Sequence, residues 1–206
     1  MRNEIGKEEA ENWDEIDLYR FFATLLGFPT RNRFALLARF NSREEFAGLW
    51  RWLGCTGKPP RSSMYRSFDQ YEAGYIALFD VGAPEPPVPL LESVYHGTIP
   101  AQQTVLENVC FFDAVGLKSD PSMTSPDHLL AQLEFGASVR YLQENCKDEH
   151  ARESLRHMER DYLEHHLLSW LPSAVKKLES LRTPVFPALF ALLLKFLRNR
   201  QDELRQ

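Results

Sequence analysis

Apolar residues recur at helical spacing along almost the whole chain. In the first such segment Ile16, Tyr19, Phe22, Ala23 and Leu26 fall on one face, because an α-helix repeats every ~3.6 residues. No segment shows the alternation of apolar and polar residues that predicts a half-buried strand, and no internal repeat is visible. The spacing therefore predicts an all-α fold, a helical bundle of about nine to ten helices.

One proline-rich stretch interrupts this pattern. Residues 80–100 read DVGAPEPPVPLLESVYHGTIP and carry five of the chain's 13 prolines. Proline has no backbone N–H and is excluded from helix interiors, so the stretch predicts an extended loop. We expect a hinge between two helical halves. The predicted parts are a flexible N-terminus (1–13), an N-terminal half (14–79), a proline-rich hinge loop (80–100) and a C-terminal half (101–206).

Capping residues and prolines predict where individual helices begin and end. Thr30 is expected to cap the second helix, and a fourth is expected to start at about Ser63. A later helix is predicted from Pro126 to about Cys146, with Ser125 as its N-cap. The next is predicted from about Asp148 to Trp170, stopping at Pro172.

Charge and cysteine content exclude several classes of protein. The net charge is −5 with no long basic run, which argues against nucleic acid as a partner. Cys55, Cys110 and Cys146 are dispersed, as is typical of reduced thiols rather than of disulfides or a zinc site. The polar N-terminus lacks the apolar core of a secretory signal, and the apolar stretch 185–197 is too short to span a bilayer. We expect a cytoplasmic protein with no membrane insertion.

The stretch TSPDHLLAQLEF, residues 124–135, places two titratable side chains at a predicted helix start. Ser125, Pro126 and Asp127 suit a helix N-terminus on local physics alone. His128 is not explained in this way, because a cationic ring is disfavoured at the positive end of a helix dipole. Capping and ligand binding both remain open for Asp127 and His128.

A second candidate site lies on the charged segment that follows. His157, Asp161 and His165 are spaced to share one helical face, and such a set suits a divalent metal. A run of mixed charge is more often a solvated helix face. H-E-x-x-H, G-x-S-x-G and P-loop motifs are absent. We expect no catalytic site, no metal and no cofactor; a helical metal-dependent hydrolase remains the alternative, as does a generic helical adaptor.

Four short blocks occur in a characteristic order. They are YIALF at 75–79, ESVY at 92–95 after the prolines, PDHL with LEF at 126–135, and HLLSWLP at 166–172. In these blocks and their spacing the chain resembles the TorD/DmsD/NarJ family of redox-enzyme maturation chaperones, over roughly residues 14–180.

The resemblance implies a chaperone rather than an enzyme. Members bind the catalytic subunit of a DMSO-reductase-type molybdenum oxidoreductase, many through its twin-arginine signal peptide, and assist cofactor insertion and assembly before export. Monomers and domain-swapped dimers are both compatible with the hinge. The apolar part of such a peptide suits a groove between helices. Its arginines suit carboxylates, for which Asp127, Asp80, Glu85 and Glu92 are the candidates. The expected peptide-binding residues are Leu78, Phe79, Leu91, Glu92, Tyr95, Asp127, His128, His166 and Trp170.

Overall fold

The computed structural model describes residues 15–41, 43–57, 59, 63–118 and 124–206, so the expected flexible N-terminus, residues 1–13, lies outside it. Within these residues the chain forms nine α-helices. They are α1 (Glu15–Leu26), α2 (Arg31–Phe40), α3 (Arg43–Trp52), α4 (Phe68–Tyr75), α5 (Ala101–Ala114), α6 (Leu129–Asn145), α7 (Glu149–Tyr162), α8 (Leu168–Leu181) and α9 (Phe186–Leu204). The predicted all-α fold is confirmed, and no helix in the described ranges is long and apolar enough to cross a membrane.

Short polar side chains fix the starts of the early helices. Thr30 caps α2 as predicted, accepting a hydrogen bond from the Arg33 N–H at 3.1 Å. The predicted start of the fourth helix at Ser63 is wrong. Ser67 caps α4 and accepts from the Gln70 N–H at 3.3 Å, so the helix begins one residue later.

Two π turns interrupt the helical pattern, at Ile76–Asp80 and Leu163–Leu167. The second lies between α7 and α8, so the helix predicted for 148–170 contains a π segment and continues beyond Trp170. Pro172 does not stop the helix but lies inside α8. It is the fifth residue of that helix and removes one backbone hydrogen bond there.

The predicted halves share one hydrophobic core. Helix α1 packs against α6, and α8 packs against α9. The ring of Phe186 on α9 lies within 6.1 Å of Tyr71, 6.0 Å of Tyr75 and 5.0 Å of Phe79. Burial of apolar surface therefore holds the segments before and after the loop together.

A buried ion pair crosses this core between α7 and α9. The Arg200 guanidinium donates to both carboxylate oxygens of Glu159, from Nε at 2.9 Å and from Nη2 at 2.7 Å. Tyr19 and Gln143 also donate to this carboxylate, at 3.2 and 2.8 Å. The group joins α1, α6, α7 and α9, and its hydrogen bonds compensate for the loss of hydration on burial.

We expect Arg200→Met to lower the free energy of unfolding by about 3–5 kcal/mol, because it removes the guanidinium from a buried carboxylate. Arg205→Met is the matched control. Arg205 pairs with Glu164 at 3.2 Å on the surface, where such pairs contribute less than about 1 kcal/mol. Urea unfolding of both variants tests this, and equal losses would show that the buried pair has no special role.

Candidate functional site

The proline-rich loop is fastened to the start of α6. The backbone of residues 90–92 pairs with that of residues 127–129 through one isolated antiparallel bridge, flanked by two hydrogen bonds of 2.9 Å. A 3-10 turn, Glu92–Val94, follows directly. The last part of the loop therefore has a defined path across the C-terminal helices.

Asp127 is turned inward at this junction. Its side chain is 1% exposed. One carboxylate oxygen accepts from the Ser93 N–H at 3.2 Å, and the other accepts from the Ser125 hydroxyl at 2.5 Å. The carboxylate thus ties the loop to the turn that precedes α6.

His128, and not Ser125, is the N-cap of α6. Its Nδ1 accepts from the Leu130 N–H at 3.1 Å, and the helix begins at Leu129 rather than at the predicted Pro126. The Ser125 hydroxyl is engaged elsewhere. Burial lowers the pKa of His128 to about 4, although the negative charge of the neighbouring Asp127 acts to raise it. The ring is therefore neutral near pH 7, so the helix dipole does not oppose it.

A buried carboxylate lies at the centre of the site. Glu92 is 1% exposed. It accepts from the side-chain amide of Asn108 on α5 at 3.0 Å and from that of Gln132 on α6 at 2.5 Å. It also contacts His166 Nδ1 at 3.0 Å and His96 Nε2 at 3.1 Å. One side chain of the loop therefore joins α5, α6 and the second π turn.

Aromatic side chains extend this network. Trp170 Nε1 donates to the side-chain oxygen Oε1 of Gln132 at 3.1 Å, and the Tyr162 hydroxyl donates to the side-chain oxygen Oδ1 of Asn108 at 2.6 Å. Burial raises the pKa of Tyr162 well above its usual range, so the hydroxyl keeps its proton. The ring of Tyr95 lies 5.1 Å from that of Trp170. Tyr95 therefore packs against one of the aromatic members of the network.

Most of the predicted peptide-binding residues meet at this junction. The structure brings together Leu91, Glu92, Tyr95, Asp127, His128, His166 and Trp170. Leu78 and Phe79 lie instead on the first π turn. There the Leu78 carbonyl accepts from the Val88 N–H of the loop at 2.9 Å, and Phe79 stacks on Phe190.

Four members of the network were not predicted from the sequence, namely His96, Asn108, Gln132 and Tyr162. The available signal was a polar residue on an otherwise buried helical face. On α5, Asn108 lies one turn from buried Thr104 and one turn from buried Phe112.

The four predicted carboxylate acceptors fall into two groups. Asp127 and Glu92 are buried and bonded within the chain. Asp80 and Glu85 are exposed along the loop. The exposed pair has the accessibility that a cationic partner requires.

The alternative metal site receives no geometric support. His157 Nε2 pairs with Glu153 at 3.1 Å, and Asp161 pairs with Arg160 at 3.2 Å. His157, Asp161 and His165 share one face only on a continuous α-helix, and the π turn that contains His165 changes the phase. Among the described residues, no three His, Cys, Asp or Glu side chains are grouped to hold a metal ion.

Comparison with known proteins places these residues in a wider context. Residues 61–176 match the family model described as nitrate reductase delta subunit. That match runs from before α4 into α8 and includes the whole Glu92 network.

Named relatives align over part of their lengths. The selenate reductase assembly chaperone protein of Thauera selenatis is 36% identical over 114 residues, 53% of this chain and 58% of the relative. The perchlorate reductase assembly chaperone protein of Dechloromonas aromatica is 28% identical over 148 residues, 70% and 66% of the two chains. The chlorate reductase assembly chaperone protein of Ideonella dechloratans is 35% identical over 117 residues, 54% and 59%. This chain thus spans less than two thirds of each of these relatives.

A solved structure shares the fold. It is a protein from Archaeoglobus fulgidus described as a candidate redox enzyme maturation protein. The TM-score is 0.51 at 15% sequence identity, and the superposition covers 95% of this chain and 96% of the other. The similarity concerns the arrangement of the helices.

The neutral cap at His128 predicts a pH dependence of stability. Its pKa is about 4 in the folded protein and near the ordinary 6.5 when unfolded. The unfolded chain therefore binds a proton first as pH falls through this window, and the stability that the neutral ring contributes above pH 6.5 is lost towards pH 4. We expect His128→Asn, which keeps a capping oxygen but does not titrate, to show a shallower loss. Urea unfolding at about pH 7 and about pH 5 measures this. If wild type and variant lose the same free energy of unfolding between these pH values, His128 does not contribute to the pH dependence.

Proposed function

The chain belongs to the nitrate reductase delta subunit family, and we propose from this that it is an assembly chaperone for the catalytic subunit of a reductase. The observation that carries the proposal is that its named relatives are assembly chaperones of three different reductases. With the four sequence blocks, we propose a DMSO-reductase-type molybdenum oxidoreductase as the client. The chaperone holds this subunit in the cytoplasm while cofactor is inserted, before export.

The polar site supports a role in binding rather than in turnover. Asn108 and Gln132 direct their amides at Glu92, and Asp127 is held by the loop and by Ser125. Groups that are saturated inside the protein stabilise one conformation of a loop. A preformed surface of this kind lowers the entropic cost of binding a partner.

We place the client's N-terminal peptide along the outer edge of the loop. Leu91, Tyr95 and His128 are partly exposed there and offer apolar and aromatic surface. Asp80 and Glu85 are exposed on the same loop, where carboxylates accept charge-assisted hydrogen bonds from arginine. A twin-arginine signal peptide has this combination of paired cations and apolar side chains.

The buried residues of the predicted site lie beneath that edge. Glu92, Asp127, His166 and Trp170 fix the path of the loop and the orientation of the Tyr95 ring. In this proposal they do not contact the peptide themselves. They support its binding by holding the surface residues that it contacts.

Affinity capture tests the function directly. We expect the tagged full chain, expressed in its native cytoplasm, to retain the catalytic subunit of a molybdenum oxidoreductase identified by mass spectrometry. That subunit should be enriched in its cofactor-free form, because assembly precedes release. Recovery of no oxidoreductase subunit, under conditions where the client is expressed, would contradict the proposal.

The loop carboxylates provide a sharper test. The double variant Asp80→Asn/Glu85→Gln should bind the client's N-terminal peptide about three- to tenfold more weakly, because two exposed ion pairs are lost. Raised salt should shrink this difference.

The charge-matched control is Glu179→Gln/Asp202→Asn, which removes two exposed acids from α8 and α9. Titration with a fluorescent form of the client's N-terminal peptide measures the affinity of wild type and of both double variants. Equal weakening in both double variants would indicate an effect of net charge alone and would remove the loop from the binding site.

A further inference from the structure

Helix α5 presents an apolar face that adjoins its packed surface. Thr104, Asn108 and Phe112 are buried on the packed side. The adjoining side lines a shallow, open groove of about 530 Å³, formed by Ala101, Gln102, Val105, Leu106 and Val109. Leu106 is 62% exposed. An apolar face of this kind is a recognised form of interaction surface.

The groove has an acidic end. Asp113 lies one turn beyond Val109 and is exposed. Helix α5 also carries Glu107 and has no lysine or arginine. Asp113 is next to the last residue of α5, at the negative end of the helix dipole, and the last turn has no basic side chain to offset that charge. The face therefore suits an apolar segment that carries cations at one end.

The charges decide which occupant fits. Residues 1–14 of this chain contain five acidic and two basic side chains, so they are repelled by the acidic end. A second copy would place α5 against α5, two helices that each carry acids and no base. A partner with apolar and basic side chains is complementary to the groove.

We propose that the α5 groove is a second docking surface, which takes an apolar helix of the client bearing arginine or lysine at the end that lies over Asp113. The inference rests on the proposed chaperone function and adds a contact separate from the loop edge. The apolar side chains of such a helix would lie along Val105, Leu106 and Val109, in the helix-in-groove mode of recognition.

The probe is a synthetic Ala/Leu helix of about 14 residues, long enough to cover α5, with two arginines at its N-terminus. Leu106→Asp should weaken its binding about tenfold, since a charge replaces the central apolar contact. Leu181→Asp is the matched control, because Leu181 is an exposed leucine at the end of α8. Both substituted side chains lie on the surface, so thermal melts should stay close to wild type.

The acidic end is tested in the same way. Asp113→Asn should weaken binding of the probe about threefold at low salt, as expected for the loss of an exposed ion pair. The difference in affinity from wild type should vanish at high salt. Asp202→Asn, at an exposed acid on α9, should have no effect. A probe with glutamates in place of its arginines should bind more weakly than the original. Equal binding of the two probes would overturn the role of Asp113.

Cys110 offers an independent reporter. It is exposed and lies one turn beyond Leu106 on α5. Bound probe should slow alkylation of Cys110 by N-ethylmaleimide, with half-buried Cys146 as the internal reference in mass spectrometry. Unchanged alkylation of Cys110, or unchanged probe affinity of Leu106→Asp, would overturn the proposal.

Two further results separate the possible failures. The loop variant Asp80→Asn/Glu85→Gln should bind the probe like wild type; weakening there would mean one surface rather than two. A shift in sedimentation caused by Leu106→Asp would assign the face to a second copy and overturn the client contact. Should affinity capture recover no oxidoreductase subunit while the probe still binds through Leu106, the chaperone function fails and the groove stands as a peptide site.

Discussion

The buried carboxylate of Glu92 is the constraint around which this protein is organised. A charge removed from water is tolerated only where hydrogen-bond donors or cations surround it. Here amides from α5 and α6 and an imidazole from the second π turn supply those contacts. Because the carboxylate belongs to the loop, satisfying it also fixes the loop on the helices. The same network leaves Leu91, Tyr95 and His128 at the rim, where a partner can reach them.

The helical class could be predicted from the sequence because burial repeats with the period of the helix. Thr30 shows that local capping rules also succeed when the cap depends on its own neighbours alone. The shared face predicted for His157, Asp161 and His165 failed for a physical reason. A π turn holds more residues per turn than an α-helix, and the resulting change of phase leaves no clear mark in a pattern of apolar residues.

Most of the residues that meet at the loop junction could be picked out from the sequence, but their contacts could not. His128 caps α6 because burial keeps its ring neutral, and burial is decided by the whole fold rather than by the residues beside it. Asn108 and Gln132 meet Glu92 from separate helices. Such long-range pairing has no local signature, so a single sequence shows only polar residues on apolar faces.

The second π turn has an evolutionary consequence. A π turn forms where one extra residue is inserted into an α-helix. Loss of any one residue from 163–167 would restore the regular spiral and rotate all that follows by about 100° relative to α7. Trp170 would then leave Gln132, and the imidazole of His166 would leave the carboxylate of the loop. Homologues that keep this site should therefore keep the length of this segment and the histidine at the position of His166, whatever residues stand at the other positions.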